Sequence, residues 1–236
     1  MDEAMEANKK FYGTLPDIVH FFSWTYSEEK NDQVWGEYTY DNVGGLPTFK
    51  SMIRKMQTEH DMPVSLYTLS DRCSKAHSKI GREIGELAAS VREDGTFLKS
   101  EHGSLRQTEY TWYMCLAAKQ WQDFYIETVR RVQEETGANI MYLDLLSAWH
   151  GQPCFSKVHG HEVPAWPNKA SNQIISRLRE AMPPDVILWT EYPFNDVNTQ
   201  YTDGTIAYYF LAVHEYFSMP YDVVEKAGQC FEPMTN

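Results

Sequence analysis

Positive charge is scarce in this chain: 21 lysines and arginines stand against 33 acidic residues, a formal net charge of −12. No Lys/Arg cluster interrupts the acidic background, which excludes the electrostatic footprint of a nucleic-acid or anionic-membrane partner. No apolar run approaches the roughly 18 residues a membrane span requires. The opening Met1-Asp2-Glu3-Ala4-Met5-Glu6 is acidic and has no signal-peptide core. Cysteines number four (Cys73, Cys115, Cys154 and Cys230) and form no C-x-x-C pair or zinc-finger spacing. They read as buried thiols, which leans the expected location towards a reducing compartment, the cytoplasm. Neither G-x-G-x-x-G nor a P-loop follows any apolar run, so a nucleotide cofactor is not expected. Linkers and low-complexity tracts are also missing, and residues 1–236 read as a single domain.

What remains is an alternation of strand-like and helical patterns. Residues 18–24 read as a first buried strand, followed by an aromatic loop with Tyr26, Trp35, Tyr38 and Tyr40. Leu46 to His60 has the apolar spacing of a helix, and Pro63 to Leu69 reads as the second strand, leading into Asp71-Arg72. Ser78 to Val91 is expected to be helical and Thr111 to Leu116 a weaker third strand. A helix over Lys119 to Glu135 carries Trp121, Tyr125, Val129 and Val132 on one stripe, with Gly137 as its stop. Asn139 to Leu146, Val186 to Tyr192 and Gly204 to Leu211 complete the strands. Apolar runs without strict alternation, separated by amphipathic helices, indicate a parallel sheet with covered faces. The expected fold is α/β, a (β/α)8 barrel, with an open doubly wound sheet as the alternative. A full barrel takes about 250 residues and eight strands; about six units are visible here, so the expectation is a barrel truncated at its C-terminal end.

Two carboxylates stand out. Ile140-Met141-Tyr142-Leu143 delivers Asp144, and Val186-Ile187-Leu188-Trp189-Thr190 delivers Glu191, with one amphipathic stretch between the runs. A strand–helix–strand unit places both acids at the carboxyl-terminal edge of one sheet. Neighbouring strands lie about 4.8 Å apart, close to the 5–5.5 Å or so that separates the two carboxyl groups of a retaining glycosidase. The same edge would receive Trp24, Asp71, Arg72, Cys115, Trp149, His159, His161, Trp166 and Tyr192, taken here as the substrate-binding set. Aromatic faces beside carboxylates suit a polyhydroxylated ring. His159-Gly160-His161, with Cys154 and Asp144, also permits a metal-dependent hydrolase; the favoured expectation is no metal and a loop-ordering role for the two histidines. Asp203 precedes a strand and belongs on the opposite, stability end.

Met114-Cys115, Gln120-Trp121-Gln122-Asp123, Gly137 through Tyr142-Leu143-Asp144, Pro153-Cys154-Phe155, His159-Gly160-His161, Thr190-Glu191 and Asp203-Gly204 together resemble a group of bacterial glycoside-hydrolase-like TIM barrels. That group is a domain of unknown function related to α-galactosidase and endo-α-N-acetylgalactosaminidase barrels. The resemblance covers residues 113–210 best. It implies Asp144 as nucleophile and Glu191 as acid/base on an α-linked galactose-type sugar. The family pattern departs at Phe155-Ser156, where Tyr-Asp is usual, and at Glu162 to Trp166, which replaces a glycine-rich stretch. The expected function is therefore a retaining glycoside hydrolase. A non-catalytic carbohydrate-binding barrel or pseudoenzyme fragment stands as the alternative.

Overall fold

The computed structural model describes residues 2–22, 24–27, 32–33, 36, 38–74, 83–100, 111–146, 152–191 and 197–205. Its centre is a parallel sheet made from the apolar runs. The strands are β1 (Val19–Phe21), β4 (Val64–Leu69), β8 (Ile140–Asp144), β9 (Ile187–Thr190) and β10 (Gly204–Thr205); β2 (Tyr26–Ser27), β3 (Asp32–Gln33), β5 (Arg72–Ser74), β6 (Lys99–Ser100) and β7 (Thr111–Tyr113) lie outside it. They lie side by side in chain order, every neighbouring pair parallel. β4 is buried at all six positions, which requires cover on both faces and explains why its sequence does not alternate.

Three helices supply one of those covers. Gly45 and Pro47 open α2 (Leu46–Glu59), whose Phe49, Ile53 and Met56 are buried; proline in the first turn loses no hydrogen bond. The long helix Lys119–Thr136 is numbered α4, because a short turn of helix, α3 (Gly85–Ala88), precedes it. Trp121, Tyr125, Val129 and Val132 form its buried stripe, and it stops at Gly137, whose φ of 72° suits glycine and whose N–H caps the Gln133 carbonyl. α5 (Pro167–Ala181) buries Ile174, Ile175 and Leu178. Each such fully buried apolar side chain is worth about 1.5–3 kcal/mol.

The register sorts side chains between the two faces. Tyr67 pairs with Tyr142 and Leu69 with Asp144, while Tyr142 pairs with Trp189. These alternate residues therefore share one face, and Leu66, Thr68, Met141, Leu143, Leu188 and Thr190 share the other. The second face meets the helices: the Thr68 and Tyr125 hydroxyls are 2.9 Å apart. The first carries an aromatic wall of His20, Phe22, Tyr67 and Tyr142. Gly204 belongs here, because a Cβ at that position would come within 2.8 Å of the Trp189 indole nitrogen.

Three expectations change. Among the described residues the strand order never reverses, so the switch point of the doubly wound alternative is not found there. Thr111–Tyr113 (β7) is not a third strand of the parallel sheet; it pairs antiparallel with β5 (Arg72–Ser74) and β6 (Lys99–Ser100) in a separate small sheet. Its Thr-Trp-Tyr run is as β-prone as any barrel strand, so composition could not tell the two sheets apart. Asp144 therefore ends the third described strand of the parallel sheet, not the fourth. Finally, the helix expected over 78–91 shrinks to Gly85–Ala88 among the described residues, and Val91 forms a bridge with Phe97. The distal part of the expected strand 204–211 lies outside the described residues.

Candidate active site

Asp144 closes β8, and the backbone around it is pinned. Ser70 donates to the Asp144 carbonyl from both its N–H and its hydroxyl, at 3.2 and 2.8 Å. The next residue, Leu145, has φ of 56°, a left-handed conformation that costs a non-glycine residue about 1–3 kcal/mol and tends to gather at functional sites. The Asp144 carboxylate accepts from two phenols: Tyr67 at 2.7 Å on one oxygen and Tyr142 at 3.1 Å on the other. Sequence reading missed both tyrosines. The Tyr142 signal was present, since a residue two before Asp144 on a strand faces the same way; Tyr67 needed the register.

Glu191 follows β9 directly. Leu143 pairs with Thr190, so Asp144 and Glu191 stand at the same level of adjacent strands, on the face that also carries Tyr142 and Trp189. Glu191 is 3% exposed. Asp71, two residues beyond β4, is buried as well, with the Arg72 guanidinium 3.6 Å away. Three carboxyl groups thus converge at the carboxyl ends of three consecutive strands of the parallel sheet. Burial, reinforced by the Glu191 charge, pushes Asp144 up to about 7 although the two phenols pull the other way. Burial likewise lifts Asp71 to about 7 against the opposing pull of Arg72. His20, on the same face, is lowered by burial and so brings no cation to the cluster near neutrality. Paired acids that cannot all ionise together are what acid/base chemistry needs.

The other expected contacts divide. Trp24 is no stacking platform: it is 3% exposed, donates to the Tyr67 carbonyl and stacks on Tyr38, Tyr40 and Phe49. Accessible aromatic surface on this face comes from Phe22, 55% exposed and packed on Tyr67, and from the half-buried Trp189, paired in register with Tyr142. Trp166 is 60% exposed on a groove of about 500 Å³ shared with His161, Lys169 and Gln173. Cys115 and His159 are buried, and both lie with Cys154 and His161 in one tight group, so they are not open substrate contacts. A cavity of about 30 Å³, the size of a water, is lined by Asp71, Leu145, Cys115 and Cys154. Trp149 and Tyr192 lie outside the described residues.

This geometry can be set beside known proteins. A Bacteroides thetaiotaomicron protein named as a candidate glycoside hydrolase is 24% identical over 161 residues, 67% of this chain and 22% of its own length. An α-N-acetylgalactosaminidase from Bifidobacterium bifidum superposes with a TM-score of 0.62 at 14% identity, over 89% of this chain and 33% of that one. An α-galactosidase from Thermus thermophilus, solved with p-nitrophenyl α-D-galactopyranoside, gives 0.58 at 11% identity, over 87% and 37%. At such identities the likeness is one of fold: a parallel α/β sheet similar to those of glycoside hydrolase barrels. The chain spans about a fifth of the curated relative and about a third of these two structures. Residues 1–207 match the family described as Domain of unknown function (DUF6259), and the chain belongs to that family.

Proposed function

We propose that this chain carries the catalytic sheet of a retaining glycoside hydrolase acting on an α-linked galactose-type sugar. The observation that carries the reading is the Leu143–Thr190 register of two adjacent parallel strands, whose next residues are Asp144 and Glu191. Strand spacing of about 4.8 Å sets them near the roughly 5–5.5 Å that a double-displacement mechanism uses. The sugar class is suggested by what the fold relatives act on, an α-galactoside and α-N-acetylgalactosaminides by their names.

In this reading Asp144 is the nucleophile. Its two phenol donors favour the anion and aim its oxygens, and Ser70 holds its backbone. Attack on the anomeric carbon forms a glycosyl ester while Glu191 gives its proton to the departing oxygen. Glu191 then takes a proton from water, which attacks the ester and returns the sugar with its original configuration. Asp71 accepts hydrogen bonds from sugar hydroxyls, and the Phe22 and Trp189 faces stack on the ring.

Azide rescue tests the assignment. With Asp144→Ala, azide enters from the face the carboxylate has vacated and gives a glycosyl azide of inverted configuration. With Glu191→Ala, an activated aryl glycoside still forms the ester, and azide attacks it to give a retained product. The same azide product from both variants, or full activity in either, would sink the assignment.

A further inference from the structure

The loop beyond β8 and the entry to α4 bring together four side chains that the proposed sugar chemistry does not use. Cys115 sits just ahead of α4, held by its N–H to the Ala88 carbonyl at 2.8 Å. Cys154 opens a loop that Ala165 closes, through a reciprocal pair of backbone hydrogen bonds of 2.9 Å each. Within that loop Gly160, at φ of 77°, turns the chain so that His159 and His161 both fold back towards Cys154. One donor atom from each of Cys115, Cys154, His159 and His161 lies within 4.8 Å of the other three. Cys115 Sγ is 3.3 Å from His161 Nε2, and Cys154 Sγ is 3.5 Å from His159 Nδ1.

We propose that these four residues form a structural zinc site. Zinc bonds of about 2.3 Å to sulfur and 2.0–2.1 Å to nitrogen put the corners of its tetrahedron about 3.4–3.8 Å apart. Cys154 Sγ–His159 Nδ1 at 3.5 Å already meets that spacing, Cys115 Sγ–His161 Nε2 at 3.3 Å falls just short of it, and the remaining pairs, all within 4.8 Å, need about 1.4 Å of adjustment at most. The surroundings are those of ligands. His161 Nδ1 lies 2.9 Å from the Glu162 carbonyl, so its proton sits there and its Nε2 lone pair points at the cluster, the orientation a backbone carbonyl imposes on metal-bound histidines. The Val91 N–H points at Cys154 Sγ from 3.5 Å, as amide donors do towards thiolates. Three of the four ligands are buried, and two thiolates with two imidazoles select zinc over the hard cations that carboxylates hold. The set is complete without Asp144, so the site is closed and holds the loop rather than activating water. Its effect is to fasten the chain following the proposed nucleophile to the start of α4, across the 38 residues of sequence between Cys115 and Cys154.

The test uses the full chain, purified without a polyhistidine tag or chelator. Elemental analysis should find about one zinc per chain. Replacing zinc by cobalt should give the intense visible bands of a tetrahedral ion together with thiolate-to-cobalt charge transfer. Cys154→Ser removes one of the two thiolates and should at least halve that charge transfer, and the gentler His161→Gln should lower zinc retention at least about tenfold, the lower end of what even an outer-shell change costs. Asp144→Asn should keep zinc at parent stoichiometry, which separates a structural site from a catalytic one. Zinc well below one per chain with no cobalt spectrum, zinc lost in Asp144→Asn, or a Cys115–Cys154 disulfide in the untreated protein would each overturn the proposal.

Discussion

Asp144 and Asp203 are both partly covered carboxylates beside strands of the same sheet, yet they are treated oppositely. Asp203 lies at the amino-terminal end, where one of its oxygens accepts from the Arg179 guanidinium and from the Leu188 N–H. Asp144 lies at the carboxyl-terminal end, held by neutral phenols and pressed by the charges of Glu191 and Asp71. One acid is compensated, the other is kept under electrostatic tension. The difference teaches that a sheet can use its two ends for different purposes, one for holding the fold and the other for storing chemistry. The amino end adds to its own account with Asn139, whose side-chain oxygen accepts from Val64 N–H and from Gln57.

The comparison is broken most directly by neutralising each acid. Asp144→Asn should reduce turnover of an activated aryl α-galactoside by about a thousandfold or more, within the range expected for losing a central catalytic group, while leaving the chain folded. Asp203→Asn should do the reverse. It should cost about 1–2 kcal/mol of stability through the weakened Arg179 contact, read from denaturant unfolding, with activity per folded molecule unchanged. A variant of Asp203 that lost activity without losing stability would erase the distinction between the two ends.

The pH dependence of folding sharpens it further. Because Asp144 rises from 3.8 to about 7 on folding, the folded chain holds a proton between those values that the unfolded chain has released. Stability contributed by this group is complete below about pH 4 and declines as pH rises towards 7. Asp71, lifted to about 7, adds a decline in the same window. Thermal unfolding of Asp144→Asn should therefore show a shallower fall in Tm from pH 4 to 7 than the parent, and a higher Tm at pH 8. An unchanged slope would mean that Asp144 carries no such tension.

A smaller effect comes from the phenols. Tyr67→Phe removes the shorter hydrogen bond to the Asp144 anion, worth about 1.5–3 kcal/mol for a charged acceptor. The acidic limb of the rate profile should move to higher pH and the rate at neutrality should fall about tenfold. Smallest of all is Trp166→Ala, which lies on the outer groove and should change stability by no more than about 0.5 kcal/mol and kcat by less than twofold.

Much of this arrangement is legible in the sequence itself. The runs ending in Asp144 and Glu191 are strongly apolar and short, with an amphipathic helix between them, and that local grammar fixes a parallel unit. The inserted sheet was not legible, because Thr111-Trp112-Tyr113 differs from a strand of the parallel sheet only in its partner, and partners are a non-local property. Trp24 illustrates the same limit: the residue type suits both a sugar platform and a core, and only the packing of Tyr38, Tyr40 and Phe49 around it decides. The Cys115–Cys154–His159–His161 group was legible only in part: the sequence puts Cys154, His159 and His161 together but offers Asp144, not Cys115, as the fourth member. Its first member is remote from the other three, so no spacing motif spans it.

The insertion between β4 and β8 also bears on how the chain is made. Tyr67 must wait for Asp144, 77 residues later, before the two can meet. At ribosomal rates of 5–20 residues per second that interval is about 4–15 s. During it, β4 emerges with only β1 as a sheet partner, while the small antiparallel sheet, built from nearer contacts, has time to assemble first. The order of appearance thus favours a nascent chain in which the insertion is already formed when β8 arrives to pair with β4.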